Sequence, residues 1–229
     1  MGSSSERLTA RQPDREAWAW WGAAAGLLGV VGHLVTQPTI TTEQRRSGTA
    51  VLSLVDRAGY HLGAVAGFLA VACLLVASAG WRRWGDRRAP ENLAARLVPL
   101  ALAASAGAMI IAYGVKGALA IYLPGGINQT EFPPEGLYTL FVIDDLAPFF
   151  AWWGVAVAAA AVSWLGLRHH LLPRWVAVIS AIAFLLPTAF LAFTGLTGFA
   201  GVPGPLWLLV ASIGVARLRS VSAASADGR

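Results

Sequence analysis

Apolar residues gather in six long runs, at approximately 17–36, 58–80, 97–122, 141–166, 175–196 and 199–216, and the polar residues fall in short gaps between them. A helix needs about 20 apolar residues to cross the ~30 Å hydrocarbon core of a bilayer, and each run supplies roughly that number. The pattern predicts an all-α, polytopic membrane bundle of six transmembrane helices over 17–216. A polar N-terminal tail, 1–16, precedes it, and a disordered tail, 217–229, follows. The longest gap, 37–57, reads "QPTITTEQRRSGTAVLSLVDR"; its second half either extends the next helix or lies along the membrane surface.

Composition agrees with the pattern. Hydrophobic residues make up 56% of the chain and charged residues 13%, about half the charge of an ordinary soluble domain. The arginines divide unevenly among the gaps. Thirteen lie in the first tail, the second gap, the fourth gap and the last tail, against Arg45, Arg46 and Arg57 on the other side. Because cytoplasmic loops retain arginine and lysine, both termini are expected in the cytoplasm, as for a bacterial inner-membrane protein. The net charge of +5 is thus a topology signal, and without a basic soluble face there is no case for nucleic acid as a partner. The single cysteine, Cys73, gives no disulfide framework.

Small residues share helix faces at Gly22, Gly26 and Gly29, and again at Gly63 and Gly67, which favours close helix packing within one chain. Trp18, Trp81, Trp84, Trp164 and Trp175 are expected in the membrane-surface belt. Trp152 and Trp153 lie deeper. Pro148 and Pro187 interrupt helix bonding in or beside a span and predict kinks.

One pattern is not forced by composition. Nearly every unusual polar group in or beside a span lies toward the non-cytoplasmic side. His33 ends the first run; Asp56, Arg57, Tyr60 and His61 open the second; Tyr113 and Lys116, the only lysine, lie in the outer part of the third; Asp144 and Asp145 open the fourth. Taken singly, each has an ordinary explanation: an acid at a helix start, a snorkelling lysine, an interfacial histidine. Taken together, they place ionisable groups from four helices around one outer cavity, with Lys116, Arg57 and Asp56 as charge partners. Charges inside a membrane are expensive enough to demand a partner, a cavity or a task.

In an apolar site one of two neighbouring carboxyls can stay protonated while the other pairs with a cation. That arrangement suits general-acid chemistry on a hydrophobic molecule, with Asp144 or Asp145 as acid and His61 reloading it. Trp152, Trp153, Phe149, Phe150, Tyr113 and Tyr60 would line the substrate site and stabilise positive charge. No metal and no cofactor are expected, since His169 and His170 lack convergent spacing and no phosphate-binding loop is present. The alternatives are a proton- or cation-coupled transporter built on the same groups, or a non-catalytic subunit or sensor. The expected partners are the bilayer and a hydrophobic small molecule.

The closing half, "LLPRWVAVISAIAFLLPTAFLAF" followed by "PLWLLVASIGVARL", resembles small multi-span membrane proteins of unknown function from actinobacteria, which implies a six-helix bundle and no activity. A functional likeness extends to membrane-bound terpene cyclases, which protonate an isoprenoid and hold the cation among aromatic rings. "VIDD" is similar to part of the Asp-rich acid motif of protonation-type cyclases, with Val142 where the first Asp would stand. That likeness implies proton-initiated cyclisation of an isoprenoid.

Overall fold

The computed structural model describes residues 17–226 apart from 38 and 196, and of 148, 149, 197 and 218–226 the backbone only. The predicted 1–16 tail lies outside the described residues. Every regular element among them is helical. Four helical segments are long and apolar enough to cross a membrane: Trp18–Val35, Arg57–Arg88, Leu93–Tyr122 and Arg174–Thr194. The chain is therefore a helical membrane protein.

The first segment consists of α1 (Trp18–Gly29) and a π-helical turn, Val30–Val35. The gap after it folds separately from the next helix. Thr41 and Gln44 exchange side-chain and backbone hydrogen bonds in a capping box that starts α2 (Thr42–Arg46), and a 3-10 turn, Gly48–Leu54, follows. Asp56 then caps α3 (Arg57–Arg88), accepting the amides of Ala58 and Gly59 at 3.0 Å each. Asn92 does the same for α4 (Leu93–Tyr122). These caps satisfy amides that the first turn of a helix leaves without partners.

The expected fourth run is broken into α5 (Pro134–Leu146), α6 (Pro148–Ala151) and α7 (Trp153–Leu167). The two acids close α5 instead of opening an unbroken span. Two causes are visible. Pro148 has no amide to return to the Asp144 carbonyl, which instead takes the amide of Ala147 at 3.1 Å. Four residues on, the hydroxyl of Ser105 enters the backbone ladder, donating to the Ala151 carbonyl at 2.8 Å and accepting the Val155 amide at 3.0 Å. A side chain inserted between such a pair is a recognised cause of helix kinking. α8 (Arg174–Thr194), a 3-10 turn at Thr197–Gly201 and α9 (Pro203–Ala226) complete the chain. The backbone of α9 runs as helix well into the stretch that the sequence pattern reads as a tail.

Packing follows a closed ring: α1 lies against α3 and α9, α3 against α4, α4 against α7, α7 against α8, and α8 against α9. Gly22 and Gly26 face Ser212 and Leu209 of α9, so that small-residue seam serves packing within one chain. The larger core lies toward the arginine-rich end, where Trp18, Trp81 and Trp84 meet edge to face at 5.2 and 5.3 Å. Trp81 and Trp84 are buried there, whereas Trp164 and Trp175 are exposed as belt residues should be. The belt reading fails for the first two because α3 continues past the expected boundary at residue 80 and carries Trp81 against Trp18 and Trp84 against Trp81. A second, smaller core closes the opposite end, with Val51 and Leu52 of the 3-10 turn packed among Tyr60, Leu119, Leu137 and Phe141.

Candidate functional site

Leu137, Phe141 and Asp144 are the buried residues of α5. Their spacing of four and three puts them on one stripe of the helix, so the packing that buries two apolar side chains also carries a carboxylate inward. Asp145 lies about 100° further round the helix. The adjacent acids are thereby separated: Asp144 is 2% exposed, while the Asp145 side chain is 37% exposed.

Each acid has its own cation. Asp144 Oδ2 lies 3.3 Å from Lys116 Nζ, and both side chains are buried. Lys116 stands six residues before the end of α4, about 9 Å along the helix axis. Its ammonium also sits 4.7 Å from the centre of the Tyr60 ring, a cation–π contact in a dry setting. Asp145 accepts a hydrogen bond from Arg45 of α2, and this pair is half-exposed. The bond to Asp145 is the main reason that Arg45 holds its proton more firmly than an ordinary arginine.

Asp144 Oδ1 has no hydrogen-bond partner among the described residues, and neither has the buried hydroxyl of Tyr113. Both residues line a cavity with His33, Lys116 and Trp152; Ala112, Ala147 and Ala151 complete its wall. The cavity offers about 10 Å³ to the centre of a water molecule, roughly the room that one water requires. Two irregular pieces of backbone meet at it. The π turn of the first segment presents His33, and the break between α5 and α7 presents Asp144, Ala147, Ala151 and Trp152. Irregular helix of both kinds is concentrated at functional sites in membrane proteins.

Glycines on α3 make the close packing possible. A Cβ at Gly67 would fall 2.1 Å from the Tyr113 ring, and one at Gly63 would fall 2.8 Å from the Lys116 stem. The Gly63 and Gly67 seam is therefore the surface on which two of the polar side chains rest.

The expected residues divide accordingly. Asp144, Lys116, Tyr113 and Trp152 converge, with Tyr60 beside them; Asp145 adjoins the group at its exposed edge. His61 does not join them. It is exposed and lines a separate lateral groove with Arg57, because the face of α3 that meets α4 carries Tyr60 and Gly63 inward and turns residue 61 outward. Arg57, expected to face the acids, is exposed in that groove, and Asp56 is occupied in capping α3. Phe150 is 41% exposed and Trp153 is partly buried, and neither lines the cavity. The side chain of Phe149 lies outside the described residues. Arg45 and Ser105 were not foreseen. The capping sequence "TTEQ" before Arg45 marks a short helix that can carry it, and Ser105 is a polar residue within an otherwise apolar stretch of α4.

No family model, curated protein or solved structure matches this chain.

Proposed function

We propose that the chain is a proton-coupled membrane transporter in which Asp144 is the proton-binding group and Lys116 its internal counter-charge. The observation that carries this reading is the buried Lys116–Asp144 pair beside a water-sized cavity, with one carboxylate oxygen of Asp144 lacking a hydrogen-bond partner among the described residues. A proton arriving at Oδ1 converts Asp144 to a neutral acid and leaves the Lys116 ammonium without its ion-pair partner, against the Tyr60 ring. The site gains one unit of charge, and an arrangement that lets the ammonium reach water becomes favoured. The break between α5 and α7 gives the bundle a place to bend.

The direction of access belongs to the same proposal. The chain crosses the cell membrane six times with both termini in the cytoplasm. The half-exposed Arg45–Asp145 pair then faces outward, and Trp152 and the larger apolar core close the inward side. Protons enter from outside, down the usual bacterial gradient.

The cyclase reading draws on Tyr113 and Trp152 standing beside Asp144 in the same cavity. An isoprenoid needs a pocket of roughly 300 Å³ or more, against a cavity sized for one water, so this geometry gives the relay more support.

A pH jump on one face of a supported membrane containing the protein tests the proposal. Proton binding displaces charge whether or not a co-transported solute is present. The wild type should give a transient current that Asp144→Asn lacks. No current from the wild type, or an undiminished current from Asp144→Asn, overturns the reading. Conversion of a prenylated compound to a cyclic isomer by the same membranes would favour the cyclase instead.

A further inference from the structure

The arginine-rich ends of α3 and α4 enclose a second hollow that has no part in the proton site. It offers about 610 Å³ and opens sideways from the bundle between the two helices, a volume within the ordinary range of ligand pockets, about 300–1,000 Å³. Toward the middle of the two helices the groove is apolar and exposed, lined by Leu75, Ala79, Leu100 and Ala103, and its end near the turn carries Arg82, Asp86 and Arg96. An open apolar groove with charges at one end only has the polarity of a phospholipid site.

The rim is specific in its signs. Arg96 is fixed by two hydrogen bonds to the Pro90 carbonyl, at 3.0 and 2.7 Å, which hold its guanidinium over the turn between the helices, and its Nη2 lies 3.8 Å from Glu91 Oε1 in an exposed pair. Arg82 and Asp86 stand one turn apart on α3, exposed, with no ion pair or hydrogen bond to the described residues. The groove's own lining thus offers two guanidinium groups, one of them beside Glu91, and the carboxylate of Asp86. Pro99 adds a backbone acceptor nearby, because it has no amide to give to the carbonyl of Ala95, a residue of the same wall. A purely anionic headgroup would meet Asp86 as a repulsive neighbour. A choline headgroup has no N–H to donate to it. A phosphate joined to a primary ammonium matches both signs and both hydrogen-bonding roles.

We infer that the groove between α3 and α4 at Arg82, Asp86 and Arg96 is a binding site for a phospholipid with a primary-ammonium headgroup, phosphatidylethanolamine in chemical class. The phosphate meets Arg82 and Arg96, the ammonium meets Asp86, and an acyl chain fills the slot between Leu75 and Leu100. This inference does not depend on the proton-coupling proposal, since it shares no residue with that site.

The test is native mass spectrometry of the full chain released from nanodiscs containing equal parts of phosphatidylethanolamine, phosphatidylcholine and phosphatidylglycerol. The wild type should retain phosphatidylethanolamine over phosphatidylcholine by about tenfold, the equivalent of one charge-assisted hydrogen bond. Asp86→Asn should lose that preference, and Arg82→Gln should reduce retention of all three lipids. Both positions are exposed, so circular dichroism should show the same helix content for each variant. Equal retention of the ethanolamine and choline lipids, preference for the glycerol lipid, or an unchanged preference in Asp86→Asn would each overturn the inference.

Discussion

Ser105 stands between Ala151 and the amide that would otherwise bond to it, so a hydroxyl on α4 replaces one rung of backbone hydrogen bonding between α6 and α7. The break that shapes the polar cavity is therefore held by a neighbouring helix as well as by Pro148. Gly154 allows the approach, since a Cβ there would meet the Ala101 carbonyl at 2.3 Å.

Replacing Ser105 by alanine frees the Val155 amide to bond Ala151 directly. The exchange trades two hydrogen bonds for one, and its effect on stability should stay within about 1 kcal/mol. The shape of the break should change more than its stability. We expect a melting temperature close to wild type together with a reduced pH-jump current; a normal current would mean that the inserted hydroxyl is only a packing feature.

The Lys116–Asp144 pair should show the asymmetry of buried charges. Lys116→Met leaves a carboxylate stranded in an apolar site and should cost about 3–5 kcal/mol, whereas the double replacement Lys116→Met with Asp144→Leu should recover most of that loss. Reversible unfolding in mixed micelles measures both. A single variant as stable as the wild type would show that the pair contributes no net constraint.

At the exposed edge the expectation is smaller. Arg45→Gln removes a half-exposed bridge and should cost no more than about 1 kcal/mol. The bond to Asp145 raises the proton affinity of Arg45, so at neutral and alkaline pH the stabilisation is present up to arginine's ordinary range and is lost as pH rises through the higher folded value. Between about pH 7 and about pH 10 the difference between wild type and Arg45→Gln should stay constant. A difference that disappears within that interval would assign the effect to another group.

Much of the fold can be read from the sequence because the signal is long and repetitive. Apolar runs of membrane length locate the helices, and Gly63 and Gly67 announce a close face four residues apart. The pairing of charges is less legible. Asp144 and Asp145 are neighbours in sequence, yet their environments are set by which of them shares a stripe with Leu137 and Phe141, and that stripe is obscured when every flanking residue is apolar. The choice of histidine has the same origin. His33 and His61 both sit near helix ends, and only the π turn after α1 and the rotation of α3 decide which one faces inward. Ser105 acts on a backbone bond 46 positions away, a relationship that local sequence cannot encode.

Gly67→Ala separates site packing from helix propensity. In an exposed helix interior alanine is better than glycine by about 1 kcal/mol, and Gly107, whose added Cβ would meet nothing within 4 Å, should show that gain or no change. At Gly67 the new methyl would press on the Tyr113 ring, and overpacking of this kind typically costs about 1–3 kcal/mol. Gly67→Ala should therefore be destabilised where Gly107→Ala is not, as thermal unfolding will report, and a stabilised Gly67→Ala would show that the ring moves freely aside.

The two histidines give the most direct contrast. His33 lines the cavity with Asp144 and Tyr113, while His61 faces the lateral groove beside Arg57 and Phe68. Both are near the same end of the bundle, so a general electrostatic effect of losing an imidazole would touch the pH-jump current of either variant alike. A relay through the cavity would respond only to the first. His33→Ala should therefore slow or remove the current, with His33→Gln, which keeps a hydrogen-bonding side chain, retaining part of it, and His61→Ala should leave it at the wild-type level. Equal effects at both positions would detach the proton response from this cavity and return the search to the surface of the bundle.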